Sequence, residues 1–155
     1  MATVEVAFTP LPAHVRTARL VATAVARRSG VDEELLDEVR LAVGEACSRA
    51  VEAHRRHCPA EPVRIEMTDL GERFEVIVRD SVPSAPMTNG TANGAQGSEA
   101  GQGDSAGQLN TAIPAGFGLA VISGLADDVR ISATGSGVSV RMTWPAALGA
   151  EADRV

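Results

Sequence analysis

Hydrophobic positions along the chain change period several times, and each change marks an element. In residues 3–8, Val4, Val6 and Phe8 alternate with Thr3 and Glu5, the period of two of a half-buried strand. Pro10 and Pro12 end it, and Pro12 suits the first turn of a helix, where its missing N–H leaves no bond unmade. Val15, Ala18, Val21 or Ala22, and Val25 then form a helical stripe that stops at Gly30.

A longer stripe follows. Leu36, Val39, Val43, Cys47 and Ala50 recur at three- and four-residue steps, the spacing of an apolar helix face packed on a core. Asp32 is placed as N-cap, Glu33 and Glu34 complement the positive helix end, and His54, Arg55 and Arg56 sit at the negative end, which bounds this helix at about 33–57. Beyond Pro59 and Pro62, residues 63–67 and 74–78 alternate across a turn at 69–72 and predict a hairpin, with Asp80 at the end of its second strand.

Residues 81–115 are Gly, Ala, Ser, Asn, Thr and Gln with almost no large apolar side chains. Such a segment buries too little surface to offset its ordering, and inside a compact domain it reads as a functional lid or a disordered insert. Structure resumes at Gly116-Phe117-Gly118-Leu119, where Leu119, Ile122 and Leu125 or Ala126 predict a short helix. Two strands follow, 129–133 and 138–144, across a Gly135-Ser136-Gly137 turn, and residues 146–155 read as a disordered tail. The fold class this predicts is α+β: a single domain over residues 1–145, two layers deep, with helices on one face of a mixed or mostly antiparallel sheet.

The chain has 155 residues, 45% of them hydrophobic, enough for one core. Its formal net charge of -6 argues against direct nucleic-acid binding, which needs a concentrated basic surface. Cys47 and Cys58 are eleven residues apart on or near one helix, too far to bridge, so free thiols and a cytoplasmic setting are expected. Arg16 and Arg19 interrupt the one long apolar stretch, and neither a signal peptide nor a membrane span is predicted.

Glu45 lies off the apolar stripe of the second helix, and Arg49 follows one turn later on the same side. Two readings stay open from these residues: a surface ion pair, or part of a site. The His54-Arg55-Arg56-His57-Cys58 cluster offers too few ligands for a metal and suits a helix end without one.

The order strand, helix, helix with Glu45, hairpin ending in Asp80, glycine-rich segment, Gly-x-Gly-Leu, short helix, hairpin resembles the Bergerat ATP-binding fold of the histidine kinase-like (GHKL) superfamily. Its pieces Asp37 to Ser48, Gly116-Phe117-Gly118-Leu119 and Ala126-Asp127-Asp128-Val129 resemble most closely the bacterial anti-sigma factors with serine-kinase activity. The resemblance implies a homodimer that binds a sigma factor and a STAS-domain anti-anti-sigma protein and phosphorylates the latter with Mg-ATP. It implies Glu45 as general base, Asp80 as acceptor of the adenine amino group, Gly116 and Gly118 as phosphate cradle, and Arg16 as a partner contact.

The chain departs from that pattern at three places. Arg49 stands where the family's Mg2+-binding asparagine belongs, and a guanidinium offers only donors. Asp80-Ser81-Val82-Pro83-Ser84 lacks both glycines of the family's D-x-G-x-G, and Gly137-Val138-Ser139 replaces its Gly-Thr, leaving Ser139 as the hydroxyl that could substitute. These departures point to a degenerate nucleotide site with weak or absent kinase activity, in which Arg49 binds phosphate directly or blocks nucleotide. An active Mg-ATP-dependent kinase and a sensor of another nucleotide are the alternatives. The catalytic domain of a sensor kinase shares the fold and is the less expected reading, for want of a helix pair bearing a phosphoacceptor histidine ahead of the first strand.

Overall fold

The computed structural model describes residues 2–83 and 118–147. The elements run β1 (Ala2–Phe8), α1 (Pro12–Arg28), α2 (Glu33–His57), β2 (Val63–Asp69), β3 (Arg73–Arg79), α3 (Gly118–Leu125), β4 (Asp128–Thr134) and β5 (Gly137–Pro145). One five-stranded sheet has the order β1-β2-β3-β5-β4. Every ladder among the described residues is antiparallel, so of the two sheet types expected the antiparallel one is observed. The last hairpin folds back so that β5, not β4, pairs with β3 and becomes a central strand.

The helices cover one face. Val63, Ile65 and Met67 of β2, Phe74, Val76 and Val78 of β3, and Val138, Val140, Met142 and Trp144 of β5 point beneath α2, whose Val39, Val43, Ala46, Cys47 and Ala50 are buried against them. Alternate strand residues face the other way, and most are charged or polar. Trp144 fills the space beside Phe74, with ring centroids 6.3 Å apart, and its indole N–H donates to the Leu125 carbonyl at the end of α3.

On α1 the buried stripe is Val15, Ala18, Ala22 and Ala26, while Val21 and Val25 are only partly covered. Small residues at the contact let α1 lie close to α2. Gly44 of α2 sits under Arg19 of α1, and a Cβ there would come within 2.7 Å of the Arg19 Cδ. Strand β1 is at the sheet edge, and α1 covers it incompletely: Val4 is exposed and Val6 and Phe8 half-buried.

Helix ends follow the expected chemistry. The Asp32 carboxylate accepts from the Glu34 N–H, and Gly30 leaves α1 at φ 95°, a left-handed geometry that favours glycine. Its carbonyl accepts from the Ala147 N–H at 2.8 Å, and the Ala146 N–H donates to the Glu72 carbonyl. Residues 146 and 147, expected in the disordered tail, are therefore bonded to the domain.

Candidate nucleotide site

The C-terminal half of α2 carries Arg49 and His54 to the sheet end where β3 stops, and Glu45 lies one helical turn before Arg49. Glu45 is half-buried and makes no hydrogen bond or ion pair among the described residues. Arg49, one turn on, does not pair with it. The guanidinium Nη1 instead donates to Asp80 Oδ2 at 2.7 Å, with 10% of the Arg49 side chain and none of the Asp80 side chain exposed. The surface ion pair considered for Glu45 and Arg49 is not formed, because the arginine has a better partner across the core.

Asp80 is committed on all sides. Oδ1 accepts from the Val82 N–H at 2.9 Å, closing a turn, and from the Val138 N–H at 3.2 Å. Its backbone N–H donates to the Val138 carbonyl. With Oδ2 on Arg49, the carboxylate accepts three hydrogen bonds, the satisfied state a buried charge requires. This approach depends on Gly137, which has φ 145° and whose place a Cβ would fill by overlapping the Asp80 carbonyl oxygen.

His54 continues the arrangement. The ring is fully buried; Nδ1 is 2.8 Å from the Glu61 carbonyl, and Nε2 accepts the Ser81 N–H at 2.9 Å. A ring nitrogen facing a carbonyl must donate and one facing an N–H must accept, so the tautomer is the neutral one with its proton on Nδ1. Arg49 and His54 together fasten Asp80 and Ser81, the first residues beyond β3, to α2.

Two of these residues were not singled out from the sequence. By sequence His54 belongs to the basic helix end, although it extends the buried stripe by four residues from Ala50. By sequence Gly137 is a turn glycine, and only the closeness of Asp80 gives it a second role. Ser139 requires correction: strand alternation turns Val138 toward Asp80 and Ser139 to the opposite sheet face, opposite Arg79 and Ser132, so its hydroxyl does not replace the family's threonine. Arg16 is exposed on α1 and lines a groove with Arg19, Ser48 and Glu52, formed by helices rather than by the sheet end. Gly118 is the first residue of α3. Gly116 and all of the expected lid beyond residue 83 lie outside the described residues.

Electrostatics separate the two thiols. Burial pushes the Cys47 thiol up to about 12, against a smaller opposing pull from Arg19. The Cys58 thiol is raised by desolvation and by the nearby charges of Glu61 and Asp80. Neither is poised as a nucleophile.

A model of the histidine kinase-like ATPase domain matches residues 8–144. The chain belongs to that family. Among curated proteins it is 28% identical over 140 residues to the serine-protein kinase RsbW of Bacillus subtilis (strain 168), covering 90% of this chain and 83% of that one. It is 29% identical over 142 residues to the serine-protein kinase RsbW of Bacillus pumilus (strain SAFR-032), with the same coverage. The crystal structure of the RsbU and RsbW domains of Rv1364c from Mycobacterium tuberculosis shares the fold, with TM-score 0.61 at 15% identity over 96% of this chain; the chain spans 34% of that one.

For a histidine kinase-like ATPase domain, the residues present fit Mg2+ poorly. Arg49 is a cation with donors only, and its acid neighbour across the core already accepts three hydrogen bonds, one of them from Arg49 itself. Among the described residues no group of three or more His, Cys, Asp or Glu side chains is placed to hold a metal ion. No described helix is long and apolar enough to cross a membrane.

Proposed function

We propose that the protein is an anti-sigma factor of a partner-switching system, holding a sigma factor of RNA polymerase until a STAS-domain antagonist competes for it, with weak or absent serine/threonine kinase activity. The similarity to RsbW serine-protein kinases over most of the chain supports the class. The degenerate chemistry rests on one observation: the buried Arg49–Asp80 pair. An adenine amino group would need an acceptor on Asp80 whose oxygens already serve Arg49, Val82 and Val138. Binding ATP there would compete with a buried ion pair, and without Mg2+ the charge that develops in phosphoryl transfer would lack its usual neutraliser. The output then depends on partner concentrations and affinities, with a homodimer in the cytoplasm as the working form.

An active kinase is the second reading, favoured by Glu45. Its carboxylate is half-exposed and unpaired among the described residues, as a base awaiting a hydroxyl would be. Incubating the protein with a cognate STAS partner, Mg2+ and labelled ATP separates the two. The degenerate reading expects at most a trace of labelled partner, and stoichiometric transfer would overturn it. Restoring asparagine with Arg49→Asn should raise ATP affinity if Arg49 is the obstacle; an unchanged thermal shift with ATP and Mg2+ would mean that it is not.

A further inference from the structure

The sheet face turned away from the helices carries an arrangement that neither fold nor proposed function requires. Arg64 of β2 stands directly opposite Arg79 of β3, and Arg130 of β4 directly opposite Arg141 of β5. Like charges directly across a ladder destabilise a sheet, yet this face has two such arginine pairs, besides Glu5 opposite Glu66. Arg79 and Arg141 lie diagonally on neighbouring strands, since Arg79 faces Ser139 and Arg141 faces Ile77. The four guanidinium groups therefore form one belt across four strands.

Acidic residues hold the belt from one side only. Glu66 pairs with Arg79, Glu75 with Arg141 and Asp128 with Arg130, and the register places each acid one cross-strand row farther from the β4–β5 turn than the arginine it holds. Arg64 has no ion pair among the described residues. Toward the turn the belt borders a cavity of about 220 Å3 lined by Arg64, Arg79, Ser132, Thr134, Ser136 and Ser139. Asp80 also borders it, but its carboxylate is fully buried on Arg49, so it presents no free acceptor there. The cavity thus combines two guanidinium groups with hydroxyls and no available carboxylate.

We propose that this end of the open face binds a phosphate dianion, free or carried as a monoester. Two adjacent arginines offer planar, forked donors that match phosphate oxygens, hydroxyls supply further donors, and a dianion placed between Arg64 and Arg79 turns their repulsion into attraction. The site is separate from the Arg49–Asp80 end of α2, because Arg79 and Asp80 project to opposite sheet faces. It stands independently of whether the chain is a kinase.

The test follows arginine Nε–H signals by NMR at constant ionic strength. The full chain is titrated with inorganic phosphate in one arm and with an acetylated Gly-phosphoserine-Gly peptide in the other. Saturable shifts confined to Arg64 and Arg79 are expected, with Arg16 and Arg28 unmoved, and Arg64→Ala should weaken binding about tenfold. The arm saturating at lower concentration identifies a free or a side-chain-borne phosphate. Arg64 is exposed, so the variant should keep the parent circular dichroism spectrum. Equal shifts at every exposed arginine, shifts at Arg49 instead, or unchanged affinity in Arg64→Ala would overturn the proposal. So would changes at Arg64 and Arg79 that track protein concentration rather than phosphate, which would assign the face to a second copy of the chain.

Discussion

Arg49 and Arg79 reach the same end of β3 from opposite sides of the sheet, and water makes them different residues. Arg79 keeps its charge in solvent and shares Glu66 at 3.1 Å, both side chains roughly a third or more exposed. Arg49 has been taken out of water and depends on Asp80. A solvated pair contributes little because water replaces whatever is removed. Deleting one partner of a buried pair strands a charge with nothing to replace it.

The largest expected effect follows from that difference. Arg49→Ala or Asp80→Ala should each lower stability by about 3–5 kcal/mol, read by urea denaturation, while the double variant should cost much less than their sum. Additive losses would mean that the two side chains are not coupled. Gly137→Ala comes next, at about 1–3 kcal/mol or more, because the new methyl overlaps the Asp80 carbonyl at a φ that glycine favours. It should also weaken the coupling in the same cycle by displacing the Val138 N–H.

His54→Leu should cost about 1–3 kcal/mol by leaving the Glu61 carbonyl and Ser81 N–H unpaired, with hydrogen exchange at Ser81 accelerated most. Cys47 gives a smaller, pH-dependent effect. Its folded value is raised, so its contribution is intact below the ordinary thiol range, about 8.5, and is lost as pH climbs toward about 12. The melting temperature should fall over that window, and Cys47→Ala should remove part of the slope. Smallest is Arg79→Ala, expected within about 1 kcal/mol of the parent; a loss as large as that of Arg49→Ala would erase the contrast between the two faces.

Much of the fold was readable because local periods and packing agree. The stripe from Leu36 to Ala50 needs three- and four-residue steps to reach one core, and the strand pairs need alternation to bury one face. The expected first-helix stripe left Val21 or Ala22 open and ended on Val25, whereas Ala22 and Ala26 are the buried ones, since period alone cannot tell which of two neighbours meets α2. Ser139 was misplaced for a related reason. A motif matched by sequence position said nothing of the face its side chain would take, and a one-residue step along a strand reverses that face.

The sequence by itself determined the elements, their caps and the family, and it exposed the substitution at Arg49, because each of these rests on residue identity and short spacings. Arg49's partner was decided only by the tertiary structure. Glu45 is four residues away and Asp80 thirty-one, so helical spacing favours Glu45, but the end of β3 carries Asp80 under α2, where burial strengthens the ion pair and Gly137 lets the backbone close around it. The arginine belt has the same origin: its members are scattered through the chain, and antiparallel pairing alone makes them neighbours.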